Sequence, residues 1–512
     1  MYVPPQEGIP QNRPPDTNLV PNTFDDYYVE YALKPFLLSG IYQGERPILP
    51  MIDLTLSKEW AIPAHIFGML YDSWKPNVEE GTSVFFQGYE DRGRNPEGKP
   101  NNERKKIYYS ALTPDLYRSC YAYKIEEFLE GLFAKQNADK PLMSKYLESY
   151  FDMYWNLHLG VTENDIPPEI KEIGERFMRV LGFWFPTEQV VHNNYMRVRE
   201  LRPRLKRWID ERVQDVKDRA ITKPEHTFVY YWLENGEEGP NFRREDIIFE
   251  CFHNFIAFSQ WGHMLYRIME RLDTEHGDAN VRSWFEKTMS DPDAMDGSRF
   301  FTRLDRFVME LFRTISPNAG SVSSLRARAQ AFGEGYTGYS TIITPHPDTS
   351  RAPYHWNHPD DFNPDRYKDA TASEHNDETK YATTSEDNDE TKCKDIGLAQ
   401  CPFSKEPFAV KDGRQAELTN SAFGAVYAKV DGTTYPVYDD AGYAPFGFGY
   451  RRCAGEFLTV EFVKDLLNKV WDENIKFKTL DNIDHVEQRP VAPVTVVPDN
   501  IGFFRETATA AS

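Results

Sequence analysis

Apolar residues recur every three to four positions along four long stretches: Tyr117 to Ala134, Pro168 to Leu181, Asn193 to Arg219 and Arg244 to Leu272. That spacing gathers them on one face of a helix, so each stretch is predicted to be a long amphipathic helix. Shorter patterns flank these. Ala61 to Tyr71 predicts a short amphipathic helix, Thr82 to Gln87 a strand or buried segment, and Asp91 to Asn102 a polar Gly/Pro/Asn loop. A helix is expected over Phe307 to Ser316, stopped by Pro317, and then a strand over Ala319 to Leu325. Another amphipathic helix follows Gly455, and the chain closes in a hairpin expected over Val491 to Phe503.

The stretch between Tyr367 and Phe446 breaks this rhythm. It contains a near repeat, Ser373-Glu-His-Asn-Asp-Glu-Thr-Lys380 and Ser385-Glu-Asp-Asn-Asp-Glu-Thr-Lys392, whose acidic composition predicts disorder over 373–392. Its later part alternates apolar and polar residues around Asp-Gly pairs, at Ala409 to Gly413 and Ala425 to Tyr438, and predicts a hairpin.

Chemistry concentrates in Phe446-Gly-Phe-Gly-Tyr-Arg-Arg-Cys-Ala-Gly455. One cysteine sits in a Gly-rich loop beside two arginines and leads straight into a helix. Gly447, Gly449 and Gly455 allow close approach of the backbone to a flat ligand, and the arginines stabilise a thiolate on Cys453. Upstream, Glu310 and Arg313 lie three apart and share a helix face, so they can pair. Such a pair also fits a solvated surface. A third charge, Arg366, lies in His358-Pro-Asp-Asp-Phe-Asn-Pro-Asp-Arg-Tyr367.

These segments together resemble the cytochrome P-450 superfamily. Phe446, Gly449, Arg451, Cys453 and Gly455 match its haem-binding signature. Glu310 and Arg313 match its E-x-x-R helix, and Phe362 to Tyr367 its F-x-P-x-R-[FY] element. Ser350-Arg-Ala-Pro-Tyr-His-Trp356 is similar to its H-R-D-P-x-x-W stretch with His and Asp replaced. The resemblance implies a mainly α cytochrome P-450 fold with small β-sheets, one domain over 1–512, and an atypical insertion at 368–441. It implies haem b between a long distal helix and the cysteine loop, with Cys453 as the metal ligand. Glu310, Arg313 and Arg366 are then a structural cluster. Arg104 or Lys105, in a stretch similar to the family's C-helix, and Arg326 are candidate partners of a haem propionate, and each also fits a solvated cation.

Composition narrows the remaining choices. Five cysteines in 512 residues do not suggest a disulfide framework, and no zinc-like Cys/His spacing occurs. A net charge of −21 argues against nucleic acid. The Pro- and Asn-rich start carries no apolar run long enough to span a bilayer, so a cytoplasmic enzyme is expected.

The helix over Asp246 to Leu272 departs from the family most. Where members carry an acid followed by Thr for proton delivery, this chain reads Ile256-Ala-Phe-Ser-Gln-Trp-Gly-His263. Ser259 and Gln260 take those places and can hold a water but supply no acid. Phe258 and Trp261 are expected to crowd a pocket and stack on a ligand, and His263 is a candidate proton donor one turn on. Three functions remain open. The first is oxidation of a small apolar or aromatic molecule, by monooxygenation or radical coupling, with oxygen and a ferredoxin-, flavodoxin- or flavoprotein-type electron donor. The second is reductase-independent rearrangement of a fatty-acid hydroperoxide, because Phe258 to His263 distantly resembles the F-N-x-[FW]-G-G stretch of hydroperoxide lyases and allene oxide synthases. The third is a non-catalytic haem-based binder or sensor.

Overall fold

The computed structural model describes residues 107–182, 189–236, 242–298, 301–315, 320–325, 340–345, 351, 358–368, 417–420, 426–430, 433–438, 445–446, 453, 455–481, 483, 485–492 and 495–506. The elements expected over Ala61 to Asn102 and the acidic repeat at 373–392 lie outside these residues. The helices, in chain order, are α1 (Ala122–Leu132), α2 (Leu142–Leu159), α3 (Pro168–Gly182), α4 (Gln189–Lys217), α5 (Phe228–Gly236), α6 (Arg244–Leu272), α7 (Ala279–Met289), α8 (Arg303–Ile315) and α9 (Glu456–Asp472). The strands are β1 (Gly320–Leu325), β2 (Ser340–Pro345), β3 (Glu417–Asn420), β4 (Val426–Val430), β5 (Thr433–Tyr438), β6 (Ile475–Thr479), β7 (Gln488–Ala492), β8 (Thr495–Pro498) and β9 (Ile501–Arg505). Among the described residues no helix is long and apolar enough to cross a membrane. The chain divides into two compact units, one built from residues 283–453 and the other from 107–282 and 455–506.

In the second unit all four stretches of helical period form helix, but the first begins differently. Tyr117–Tyr121 is a π-helical turn that only then continues as α1. Helix α2 was not anticipated. It ends at Gly160, whose φ of +67° favours glycine, and a Cβ there would also come within 2.7 Å of Ile221. Helix α6 starts where the Arg243 backbone N–H donates to Asp246 Oδ2 at 2.9 Å. It ends at Asp273, whose carboxylate accepts the N–H groups of Glu275 and His276, each at 2.8 Å, and the Thr479 hydroxyl at 2.8 Å.

Two antiparallel pairs complete this unit. Strands β7 and β8 form a hairpin, but β9 leaves it to pair with β6, from Ile475 opposite Arg505 to Thr479 opposite Ile501. The single hairpin expected over Val491 to Phe503 is therefore two separate pairings. The chain turns away after Pro498 because Asp499 is held elsewhere, accepting the N–H groups of Met143 and Ser144 at the start of α2.

Aromatic rings fill the interior. Tyr154 stacks on Phe255 at 4.6 Å and meets Trp155 and Phe258 edge-on at 4.9 and 5.6 Å. Such pairs add to area burial and fix the ring orientations. Gly262 of α6 permits one close approach: a Cβ there would lie 2.8 Å from Tyr146 and 3.2 Å from Val491.

One polar chain crosses this apolar core. His158 Nδ1 faces the Tyr154 carbonyl at 2.9 Å, and a carbonyl only accepts, so Nδ1 carries the proton. Nε2 is then an acceptor for Asn254 Nδ2 at 3.1 Å, and Asn254 Oδ1 accepts the Tyr108 hydroxyl at 2.8 Å. Trp232 pins Tyr108 further, stacking on its ring at 5.1 Å and donating Nε1–H to its carbonyl at 3.1 Å. The arrangement fixes every proton and ties α2, α5, α6 and the segment before α1 into one register.

The first unit carries α8, whose start is a reciprocal cap. The Thr302 N–H donates to Asp305 Oδ2 at 2.9 Å, and the Asp305 N–H to Thr302 Oγ1 at 3.1 Å. Strands β1 and β2 pair antiparallel, so the strand expected after Pro317 is present. Within residues 417–438, β4 and β5 form the expected hairpin, with Val430 opposite Thr433, and β3 adds a third antiparallel strand.

Two outcomes follow. Replacing Gly262→Ala overpacks the approach of α6 to Tyr146 and Val491 and should cost about 1–3 kcal/mol, measured by denaturant unfolding. The second concerns pH. Burial pushes the pKa of His158 down to about 3, so the folded chain keeps it neutral where the unfolded chain takes up a proton. Its contribution is complete above the unfolded value near 6.5 and is lost as pH falls from there toward 3. Stability plotted against pH should therefore fall more steeply below 6.5 for the wild type than for His158→Phe, by up to roughly 1.4 kcal/mol per pH unit. Parallel curves would show that His158 is solvated.

Candidate functional site

In the unit of residues 283–453, Arg313 of α8 and Arg366 of the loop at 358–368 converge on one buried carboxylate, Glu310. Glu310 and Arg313 are both fully buried, and the Arg313 fork grips Glu310 with Nε to Oε2 at 2.8 Å and Nη2 to Oε1 at 2.7 Å. Arg366 Nε adds a third bond, to Oε1 at 3.0 Å. The Asn363 backbone N–H and the Tyr367 hydroxyl supply two more, at 2.8 and 3.0 Å. The Arg313 guanidinium also reaches the carbonyls of Pro359 and Asp361 at 2.6 and 3.0 Å, so it sews the loop at 358–368 to the helix. Phe307 packs on Phe362 at 5.3 Å beside this cluster. Tyr367 was quoted only as a position of the motif; its hydroxyl is a member of the cluster.

A second ionic cluster lies at the other end of α8. Asp296 accepts from Arg303 Nε at 2.6 Å and from buried Arg306 Nη2 at 3.0 Å. The Arg303 hydrogen bond holds its carboxyl down at about 2, which anchors a turn where Asp296 has a φ of +50°.

The cysteine loop is partly described. Cys453 is exposed, and its backbone N–H donates to the Phe446 carbonyl at 2.8 Å, closing the loop. Phe446 is buried against Phe312 of α8 at 5.0 Å, so the loop and the Glu310 helix share one apolar contact. Beyond the loop Gly455 begins α9, the Thr459 N–H donating to its carbonyl at 2.9 Å. Arg451, Gly447, Gly449, Arg326, Arg104 and Lys105 lie outside the described residues, as does 352–356 of the Trp356 stretch. An exposed sulfur on a closed loop fits a thiolate ligand to haem iron.

In the other unit, α6 carries the distal candidates. Ser259 is 1% exposed, Gln260 half-buried and His263 9% exposed. Trp261 departs from expectation. Its Nε1–H donates to Thr459 Oγ1 at 3.0 Å and its ring lies flat on Phe462 at 4.2 Å and 6°, both on α9. Phe258 is enclosed by Tyr154, His158, Phe228 and Trp261. Neither ring is offered to a ligand. Both complete the packing between helices, because the local sequence shows that a ring is apolar but not which neighbour it meets. His263 Nε2 accepts from Arg267 Nε at 3.3 Å, a contact that the helical spacing of four could have suggested.

No protein-family model and no curated protein matches this chain. Solved structures do. A zebra fish cytochrome P450 with abiraterone is 11% identical over 92% of this chain and 100% of that one, with a TM-score of 0.51. The haem domain of a cytochrome P450DA mutant is 12% identical over 91% and 95%, at 0.50, and cytochrome P450EX alpha with myristic acid is 13% identical over 86% and 83%, at 0.50. The chain has the cytochrome P450 fold. At these identities the likeness concerns the backbone path alone, and it accords with the mainly helical order of elements and the small antiparallel sheets of this P450-fold chain.

Neutralising Glu310 would leave Arg313, and in part Arg366, uncompensated in a buried site. Glu310→Gln should destabilise this P450 fold by about 3–5 kcal/mol, read from urea unfolding. A variant as stable as the wild type would show that water screens the cluster.

Proposed function

We propose that the protein is a haem-thiolate oxidoreductase holding b-type haem through Cys453. The observation that carries this reading is the exposed Cys453 on a loop closed by its own N–H onto Phe446, which packs against the Glu310 helix. The reaction we propose is oxidation of a small apolar or aromatic molecule, by monooxygenation or radical coupling, with oxygen and a separate electron donor. When bound, the haem supplies the one-electron chemistry of iron, and the thiolate pushes electron density toward it.

The chain's own residues set the rest. Phe446 and Phe312 hold the cysteine loop, and the Glu310 cluster holds α8 beneath it. Ser259 and Gln260 offer hydroxyl and amide groups that orient a water by hydrogen bonds, with no acid to release a proton. Trp261 takes no part, since its N–H is committed to Thr459. A cytoplasmic enzyme with a ferredoxin-, flavodoxin- or flavoprotein-type donor is part of this proposal.

The missing acid supports a second reading, rearrangement of a lipid hydroperoxide without a reductase. A peroxide brings its oxygen–oxygen bond ready formed and already carries a proton.

Ferrous–CO spectra test the first step. The wild type should show the red-shifted thiolate band and Cys453→Ser should lose it; a mutant that keeps the band has another ligand. Ser259→Asp combined with Gln260→Thr should then raise reductase-driven product formation by restoring an acid. Rapid consumption of a fatty-acid hydroperoxide by the wild type without reductant would replace the first reading with the second.

A further inference from the structure

Beside the Asp296 turn, α7, α8 and the loop at 358–368 line a recess with about 190 Å³ of empty space. Helix α7 contributes Lys287 and Thr288, α8 contributes Arg303 and Arg306, and the loop contributes Asp365. Burial is graded across it: the Arg306 side chain is 1% exposed, while that of Lys287, at the mouth, is 51% exposed.

Charge does not balance there. Three cations, Lys287, Arg303 and Arg306, face two carboxylates, Asp296 and Asp365, which leaves a surplus of one positive charge. Asp296 accepts from both arginines, at 2.6 and 3.0 Å, and so fixes the two guanidiniums. Asp365 stands further off, 3.5 Å from Lys287 and 4.0 Å from Arg306. A donor is also left over. Arg306 directs Nη1 to the Met295 carbonyl at 3.2 Å and Nη2 to Asp296, but its buried Nε–H has no hydrogen-bond acceptor among the described residues. Leaving a charged donor unsatisfied and shut away from water is costly, so an acceptor beside it is favoured.

The rest of the lining selects the kind of acceptor. Trp284 and Pro364 form part of the wall, and Lys287 Nζ lies 3.9 Å from the centre of the Trp284 ring. A phosphate or sulfate needs hydrogen bonds on all its oxygens, which these apolar groups withhold. A single-atom halide needs only positive charge and a few N–H or O–H donors.

We propose that this recess is a halide site, taking chloride among the Arg306 and Arg303 guanidiniums and the Lys287 ammonium, with the buried Thr288 hydroxyl as a further donor. Bound there, the ion ties α7 and α8 to Pro364 and Asp365, the chain neighbours of the Asn363 and Arg366 groups that answer Glu310. It therefore steadies the loop on which the Glu310 cluster depends. The site stands independently of the haem-thiolate reading.

Crystals soaked in bromide locate the ion. An anomalous peak should stand in the recess, and water alone there overturns the proposal. In solution, chlorine NMR line broadening measures the affinity. Lys287→Met, at an exposed position, should weaken chloride binding about tenfold, the effect of one lost charged hydrogen bond. Asp365→Asn should act the other way and tighten it, because a repelling carboxylate is removed. Weaker binding in both variants, or equal affinity in all three proteins, overturns the assignment. Thermal unfolding should come at a higher temperature in sodium chloride than in sodium gluconate of equal ionic strength, and the gap should shrink in Lys287→Met. A bromide peak without that gap marks an adventitious ion only and overturns the role given to it.

Discussion

A carboxylate shut away from water has to be answered on every side, and Glu310 imposes that condition on the unit around it. Burying a charge is tolerable only when its partners are hydrogen-bonded to it in good geometry. Glu310 obtains five such bonds from Arg313, Arg366, Tyr367 and the Asn363 backbone. Three of these groups cannot be supplied by helix α8 rearranging alone, because Asn363, Arg366 and Tyr367 lie some fifty residues along the chain. The buried charge and the loop at 358–368 therefore depend on each other. Ion pairs of this kind contribute little net stability over an apolar replacement, yet they punish any alternative arrangement severely. They act as a register device, and the same helix carries Phe312, on which the cysteine loop rests through Phe446.

Part of the second unit's polar interior is built of neutral groups. Its polar line from Tyr108 through Asn254 to His158 is as closed as the Glu310 cluster, but no member is charged, and burial keeps the His158 ring neutral. Around it the rings of Tyr154, Phe255 and Phe258 pack tightly. The result is that α6 has little freedom to slide or turn. Trp261, whose ring meets Phe258 at 4.9 Å, adds to this restraint by donating to Thr459 and stacking on Phe462. Ser259 and Gln260 are thus carried on a helix whose azimuth is set by residues on either side of them.

How much of this was legible in the sequence depends on the range of the interaction. The long helices were legible because a period of 3.6 is a local property, and Glu310–Arg313 was legible because i and i+3 share a face. Arg366 came from the motif order, not from physics. Helix α2 shows apolar residues at Leu142, Tyr146, Tyr150 and Tyr154, so its signal too is present in the sequence. The remainder was out of reach in principle. That Asn254 meets His158, that Trp261 turns to α9, and that β9 leaves its neighbour for β6 are all decided by partners far apart along the chain, which no short window contains. The π-helical turn at Tyr117–Tyr121 has no pattern of its own.

The contrast between the two units bears on the chemistry proposed. A thiolate loop resting on a fixed helix needs little more than rigidity, and the Glu310 cluster provides it. Proton supply is a harder demand, because a group that gives a proton must also be held in one orientation. An aspartate or glutamate at position 259 or 260 would meet that demand with its own acidity; Ser259 and Gln260 do not. One turn beyond Ser259, α6 carries a histidine whose Nε2 accepts from Arg267, itself paired with Glu270. A site built on Ser259 and Gln260 orients hydrogen bonds without an acid of its own at those two positions. It favours chemistry in which hydrogen-bond direction matters more than acidity: electron or hydrogen-atom abstraction, or cleavage of a peroxide that arrives with its own proton.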